Sequence, residues 1–179
     1  LVIKAGSSAA GARAASSHTG SIAGADVAYE AAFTRSGILR ADSVEELFDY
    51  ALAFGNQPLP AGSRVAVVTN AGGPGIMAVD ACEREGLSLS QFAPATQEKL
   101  AGSLPAAANT KNPVDVLGDA PADRYRGALE TVLADPHVDA AIVVLTPQAM
   151  TEPEGTAQAV IEVSRQFKKP VLCSFLGGT

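Results

Sequence analysis

The chain has 179 residues, of which 47% are hydrophobic and 18% charged, and its formal net charge is −6. This composition is typical of a folded globular protein and excludes a disordered or fibrous one, because enough apolar side chains are present to form a core. The acidic balance argues against nucleic acid or an anionic membrane as a partner. No apolar run approaches the ~20 residues that span a bilayer.

Both ends of the sequence resemble strands that have been cut. Leu1-Val2-Ile3 is apolar and lacks the basic region of a signal peptide, and the segment 170–175 runs into a glycine turn. We therefore expect a fragment of a longer chain. The only cysteines, Cys82 and Cys173, lie in apolar segments without the spacing of metal ligands. They predict buried, reduced thiols, no metal site and a cytoplasmic location.

Residues 1–55 predict a strand, a long Gly/Ala/Ser loop, a helix, a short strand and a second helix. The second helix is marked by Ser43 and Glu46, which have the spacing of a capping box. An apolar stripe follows at helical spacing, formed by Val44, Leu47, Phe48, Ala51 and Leu52. Residues 56–62 contain two prolines and predict a linker between this domain and a second one over 63–179.

The second domain alternates regularly between strands and helices. Strands are predicted at 64–69, 87–92, 114–117, 140–145 and 171–175. Helices are predicted at about 75–85, 95–104 and 125–133, and around 160–167. Short apolar strands separated by amphipathic helices indicate a parallel sheet covered on both faces. We therefore predict three-layer α/β domains of the flavodoxin-like, doubly wound class, the first of them incomplete.

One loop in this pattern has the composition of an anion site. Strand 64–69 ends in Asn70-Ala71-Gly72-Gly73-Pro74-Gly75 and passes directly into a helix, whose N-terminus presents backbone N–H groups. The candidate phosphate-binding residues are Asn70, Gly72, Gly73, Pro74 and Gly75. The loop matches neither a Walker A sequence nor the G-x-G-x-x-G fingerprint. A tight turn without a ligand remains the alternative.

His18 is the candidate nucleophile. A lone histidine is commonly structural or merely exposed, but this one is flanked by small residues that leave room for a large group on the imidazole. Neutral imidazole is a competent nucleophile near pH 7. Thr19, Gly20 and Ser21 are possible supporting donors to a phosphoryl group on it.

Taken together, these segments resemble the NDP-forming acyl-CoA synthetases, the superfamily of succinyl-CoA synthetase and ADP-forming acetyl-CoA synthetase. The residues that carry the resemblance are Lys4, Gly6, the segment 11–20, Ile22-Ala23-Gly24, the segment 68–75 and Asn112-Pro113-Val114-Asp115. The match runs in order along essentially the whole chain. It implies the end of one succinyl-CoA-ligase-like flavodoxin domain and most of a second.

The resemblance also implies a mechanism. The histidine at the His18 position would attack an acyl phosphate, become phosphohistidine and pass the phosphoryl group to ADP or GDP. The helix start at Gly72 to Gly75 would hold the phosphoryl group, and Asp115 is a possible supporting residue. Phosphoryl transfer depends mainly on positioning and electrostatics, so the remaining parts of the enzyme are needed for turnover.

Those remaining parts are absent from this sequence. The resemblance implies that CoA, ATP or ADP and Mg²⁺ bind in the full-length enzyme, with an ATP-grasp domain or subunit as partner. It also implies that this fragment alone is inactive and that the full enzyme is an oligomer. Two alternatives remain open. One is a ligand-sensing region of a synthetase-like protein acetyltransferase, and the other is a nucleotide-binding α/β domain without phosphohistidine.

Overall fold

The computed structural model describes residues 1–19 and 25–177, with Thr19 described through its backbone alone. The chain divides into two compact units, Leu1–Asn56 and Gln57–Thr179. Of the helices in the described ranges, none has the length and apolar content needed to cross a membrane.

The first unit is a small α/β arrangement. Its elements are β1 (Val2–Ile3), α1 (Ala9–Thr19), α2 (Asp26–Ser36), β2 (Arg40–Ala41) and α3 (Val44–Asn56). The two short strands pair in parallel, with Val2 opposite Arg40 and Ile3 opposite Ala41. A chain reversal at Gly6, with φ of +77°, brings the backbone close to Gly11, where a Cβ would lie 3.1 Å from the Gly6 Cα. Both positions therefore favour glycine.

Helix α1 corrects the sequence prediction, which assigned this segment to a loop. Five of its eleven residues are alanine, the best helix former, and they outweigh the glycine and serines that suggested a loop. Ser8 begins the helix, because its Oγ accepts the Gly11 N–H at 3.1 Å and its carbonyl accepts the Ala12 N–H at 2.8 Å. His18 consequently lies in the last turn of a helix.

The capping prediction for α3 is confirmed with one change of partner. Ser43 Oγ accepts the Glu46 N–H at 3.1 Å, whereas the Glu46 carboxylate accepts the N–H of Asp42, at 2.7 Å, instead of that of Ser43. The helix continues beyond the predicted stripe to Asn56. Val44, Phe48 and Leu52 of that stripe are exposed.

The second unit contains the larger sheet. Its strands are β3 (Arg64–Thr69), β4 (Ser88–Leu89), β5 (Val114–Asp115), β6 (Ala140–Leu145) and β7 (Val171–Phe175). Its helices are α4 (Gly72–Arg84), α5 (Pro94–Ser103), α6 (Ala122–Leu133) and α7 (Pro153–Ser164). The strand order is β4-β3-β6-β7, β5 also pairs with β3, and every named pairing is parallel.

The predicted fold class is confirmed, as are the bounds of β3, β6 and β7. Strands β4 and β5 are shorter than predicted, because each of them pairs with only two residues of β3. Strand β4 pairs at Arg64 and Val65, and β5 pairs at Val68 and Thr69. Helix α4 begins three residues earlier than predicted, and α7 ends before Phe167.

Side chains alternate between the two faces of the sheet. Helices α5, α6 and α7 cover one face around Ala66, Val68 and Val143. Helix α4 packs on the opposite face of the sheet, against Val65 and Val67. We call this face the α4 face. Helices therefore lie on both faces of the sheet, as predicted, and among the described residues α4 is the helix on the second face.

The prediction of two buried thiols is correct for Cys82 and wrong for Cys173. Cys82, a residue of α4, is buried against Val65 and Val67 of the sheet, whereas Cys173 is exposed. The reason is the position of β7, an edge strand in the described sheet, whose side chains have neighbours on one flank only.

Candidate functional site

The candidate site lies where β3 ends. On one side of β3 the chain connects through α4 to β4, and on the other side β6 connects through α7 to β7. The strand order thus reverses between β3 and β6. In open parallel sheets the crevice beyond the carboxyl ends of the strands at such a point is the usual ligand site.

Asn70 joins the ends of these two strands. Its Oδ1 accepts the Thr146 N–H at 2.8 Å, and its Nδ2 donates to the Thr146 carbonyl oxygen at 2.9 Å. The residue is only 3% exposed. Both ends of its amide are therefore engaged within the sheet, which holds the loop that follows in place.

Thr69 and Gly75 fix the start of α4 against the strand. Thr69 Oγ1 accepts the Ala71 N–H at 3.1 Å, and the Gly75 N–H donates to the Ala71 carbonyl at 3.1 Å. A Cβ at Gly75 would lie 2.8 Å from Thr69 Cγ2, closer than real Cβ atoms approach. Gly75 therefore serves packing and not ligand binding. Its N–H is already hydrogen-bonded to Ala71, and its lack of a side chain lets α4 approach β3.

Gly72 and Gly73 form the open part of the helix start. No side chain caps α4, and within the described ranges the N–H groups of these two glycines have no hydrogen-bond partner. Pro74, the next residue, has no N–H to offer. A Cβ at Gly73 would meet nothing within 4 Å. Both glycines are exposed, so the helix start offers two unpaired N–H groups and the positive end of the helix dipole to a ligand.

Asp115 is the nearest charged side chain that the structure records around Gly72. A Cβ added to Gly72 would lie 3.9 Å from Asp115 Oδ2, and Asp115 Oδ1 accepts the Leu117 N–H at 2.9 Å. A carboxylate is favoured at a helix N-terminus, but it would repel an anion bound at the same place. Asp115 thus adds a negative charge to the rim of the candidate site.

His18 belongs to the first unit. Its side chain is exposed in the last turn of α1, so the imidazole is accessible. The Thr19 side chain, Gly20 and Ser21, which the sequence suggested as supporting donors, lie outside the described residues. Asn70, the glycines of α4 and Asp115 are brought together at the end of β3.

Sequence reasoning missed one residue that helps to build this site. Thr146 supplies the backbone partners of Asn70, and its position directly after β6 was the available signal. Among the described residues, no group of three or more His, Cys, Asp or Glu side chains could hold a metal ion.

Fold and site together define a class: a parallel, flavodoxin-like α/β protein with an uncapped, glycine-rich helix start at its switch point. Two family descriptions match the chain in succession. Residues 1–54 match "Succinyl-CoA ligase like flavodoxin domain", and residues 65–179 match "Ligase-CoA domain". The chain belongs to the NDP-forming acyl-CoA synthetase superfamily.

Individual relatives agree with this assignment. The chain is 40% identical to a 4-hydroxybutyrate–CoA ligase [ADP-forming] of Nitrosopumilus maritimus, across 99% of this chain and 25% of that protein. It is 45% identical to the alpha subunit of acetate–CoA ligase [ADP-forming] II of Pyrococcus furiosus, across 99% of this chain and 40% of that subunit.

A solved structure has the same fold. It is the dinucleotide-forming acetyl-coenzyme A synthetase 1 of Ca. Korarchaeum cryptofilum in complex with phosphate and ADP, with a TM-score of 0.91 and 41% identity. The match covers 99% of this chain and 39% of that one. The chain therefore spans between a quarter and two fifths of the length of these relatives.

Proposed function

We propose that this chain is part of an acyl-CoA synthetase that interconverts acyl-CoA, ADP and phosphate with a carboxylic acid, CoA and ATP. The observation that carries the proposal is the uncapped start of α4, where the exposed Gly72 and Gly73 have N–H groups without a hydrogen-bond partner among the described residues. Such a helix end suits a phosphate or phosphoryl group. Family membership and the names of the relatives support the rest.

His18 is the proposed nucleophile. Phosphate displaces CoA from the acyl-CoA and gives an acyl phosphate. A neutral His18 ring nitrogen then attacks phosphorus, so that an N–P bond forms, the P–O bond to the acyl group breaks and the carboxylate leaves. ADP next accepts the phosphoryl group as the N–P bond breaks. The exposure of His18 at the end of α1 supports this role, because both partners must reach the imidazole.

The helix start at Gly72 and Gly73 is the proposed phosphate cradle. Backbone donors oriented before the reaction stabilise a transferring phosphoryl group without reorganising. We assign direct contact to Gly72 and Gly73, and a supporting role to Asn70, Pro74 and Gly75, because the Asn70 amide and the Gly75 N–H are already hydrogen-bonded.

The names of the relatives support a proposal on cofactors and partners. One relative is an alpha subunit, which supports assembly with a second, ATP-grasp subunit or domain, and the ADP-forming names support CoA and nucleotide use. We propose that the nucleotide and its Mg²⁺ bind in that other part. The acyl group is left open, because the named substrates differ between acetate and 4-hydroxybutyrate.

The test is ATP formation by the full-length protein with its ATP-grasp part, from acetyl-CoA or another short acyl-CoA, ADP and phosphate. We expect His18→Asn to abolish ATP formation, and Ser17→Ala, a neighbouring exposed change, to retain it. Full activity in His18→Asn would overturn the proposal. Acyl-CoA binding without ATP formation, together with a fused acetyltransferase domain, would identify the sensor instead.

A further inference from the structure

The largest fully buried side chain among the described residues is that of Tyr125, near the start of α6. A buried tyrosine hydroxyl needs a hydrogen-bond partner, and this one donates to the Val144 carbonyl at 3.0 Å. Val144 of β6 lies opposite Thr69, the last residue of β3, in the register of the sheet. The Tyr125 hydroxyl therefore reaches the strand ends at which the candidate site begins.

Two residues of the candidate site act on this hydroxyl. Burial raises the pKa of Tyr125, a hydrogen bond from the Asn70 backbone N–H lowers it, and the negative charge of Asp115 raises it. Because the net effect is a rise, the hydroxyl stays protonated at neutral pH and remains a hydrogen-bond donor. Tyr125 thus contacts backbone groups at the ends of both β3 and β6.

Arg124, the preceding residue, makes a similar contact on the other side of β3. Its Nη1 donates to the Val116 carbonyl at 2.9 Å and to Asp119 Oδ1 at 2.6 Å, and its side chain is 19% exposed. Val116 directly follows β5, and its N–H donates to the Thr69 carbonyl at 2.8 Å. Arg124 therefore holds the strand end that borders β3 on the side away from β6.

The start of α6 thus contacts both neighbours of β3, the strand that leads into the phosphate cradle. Backbone donors that stabilise a phosphoryl group act only when they are held to a fraction of an ångström. Given the proposed function, in which Gly72 and Gly73 bind phosphate, we propose that Tyr125 and Arg124 are positioning residues for the cradle. We call this pair the α6 brace. It acts through the carbonyls that follow or end β5 and β6, and not by touching phosphate.

Thr131 offers a matched buried hydroxyl on the same helix. It is 4% exposed, and its Oγ1 donates to the Gly127 carbonyl at 2.7 Å within α6. Of the two hydroxyls, only that of Tyr125 bonds to a strand beside the candidate site. Thr131→Val therefore controls for the loss of a buried hydroxyl as such.

The test is the rate of ATP formation by the full-length protein with its ATP-grasp part, from acetyl-CoA, ADP and varied phosphate. Tyr125→Phe keeps the ring and removes the hydroxyl, and Arg124→Gln removes the contact with Val116. We expect each variant to raise the KM for phosphate about fivefold or more and to leave the KM for ADP unchanged. Thr131→Val should leave both KM values unchanged. A variant that merely unfolds in part would lower kcat and keep the wild-type KM for phosphate.

Two results would overturn the brace: a wild-type KM for phosphate in both brace variants, or an equal rise in Thr131→Val. If circular dichroism shows that Tyr125→Phe does not fold, the KM of Arg124→Gln decides in the same way. His18→Asn separates the brace from the proposed function. Loss of ATP formation in His18→Asn, with an unchanged KM for phosphate in the brace variants, overturns the brace alone. ATP formation that survives in His18→Asn overturns the proposed function and the brace with it.

Discussion

Gly73 and Gly75 lie two residues apart in the first turn of α4 and have opposite surroundings. A Cβ at Gly73 would enter open space, whereas one at Gly75 would lie 2.8 Å from Thr69 Cγ2. The structure therefore separates a glycine that keeps the backbone accessible to a ligand from one that lets the helix pack.

Substitution by alanine should separate these two roles. We expect Gly73→Ala to weaken phosphate binding about tenfold or more, because the N–H remains but the added Cβ occupies the open space through which the phosphate would approach it, and to leave folding intact. Calorimetric titration of the full-length protein with phosphate measures the affinity. Unchanged affinity in Gly73→Ala would argue against the cradle.

Gly75→Ala should instead destabilise the protein. Overpacking against Thr69 is expected to cost about 1–3 kcal/mol, measured by urea unfolding. The matched control is Gly127→Ala, a helical glycine of α6 whose added Cβ would meet nothing within 4 Å. If Gly75→Ala were as stable as this control, the close approach of α4 to the strand would be refuted.

Asp139 carries the strongest acid-sensitive contact that the structure records in the second unit. Its carboxylate, 6% exposed, accepts hydrogen bonds from Arg64 Nε and Nη2, both at 2.8 Å, and from the Arg64 N–H at 3.0 Å. The Arg64 guanidinium and then its backbone N–H lower the pKa of Asp139 to about 2. The contact therefore stabilises the folded protein above the unfolded pKa of ~3.9, and the stabilisation disappears as pH falls through about 2.

Comparison of the wild type with Asp139→Asn tests this pH dependence. We expect the variant to be less stable at pH 7, with a stability difference that shrinks between about pH 4 and pH 2 as the wild-type carboxylate is protonated. Urea midpoints at pH 7, 4 and 2.5 give the difference directly. Asp123→Asn, at a side chain that is 95% exposed, serves as the control. A difference independent of pH would contradict the role of the ion pair.

At the scale of elements, Asn112 completes the sheet where strand pairing is interrupted. Strands β4 and β5 pair with the two ends of β3, and Asn112 lies between them. Its Oδ1 accepts the Val67 N–H at 2.9 Å, and its Nδ2 donates to the carbonyls of Val65 and Ser90 at 2.8 and 3.1 Å. One side chain thus supplies the hydrogen bonds that a continuous strand would have made.

Removal of this side chain should destabilise the second unit. Asn112→Ala leaves the Val67 N–H unpaired, and a buried group left without a partner costs roughly 1–3 kcal/mol. The Val65 carbonyl keeps its second hydrogen bond, from the Ser90 N–H at 2.9 Å. We expect a loss of about 2 kcal/mol or more in urea unfolding. Lys111→Ala, at the exposed neighbouring residue, should change stability little. Equal stability of the two variants would show that water replaces the Asn112 amide.

Prediction from sequence was most accurate for the longest strands. Strands β3, β6 and β7 are mainly apolar runs of five or six residues, and their bounds agree with the prediction. Helix α1 was missed because it lacks an apolar stripe, so alanine content was its only signal. Strands β4 and β5 were predicted at their places but too long, because Asn112, a contact across 45 residues of sequence, takes the place of strand pairing between them.

At the scale of the whole molecule, the two units contribute different parts of the proposed chemistry. The second unit carries the uncapped helix start, and the first carries the exposed His18. The sequence located both, because a glycine-rich helix start and a histidine among small residues are local features. It could not show that Asn70 is engaged with Thr146, since that contact depends on how β3 and β6 meet.

The most direct test is the detection of a phosphoryl group on His18. The full-length protein with its ATP-grasp part is incubated with Mg²⁺ and ATP labelled in the γ-phosphoryl group, without CoA. We predict a protein-bound label that is labile to acid and stable to base, as expected for phosphohistidine. The label should map to the peptide containing His18, vanish in His18→Ala and persist in His137→Ala. Label that persists in His18→Ala would contradict the central claim.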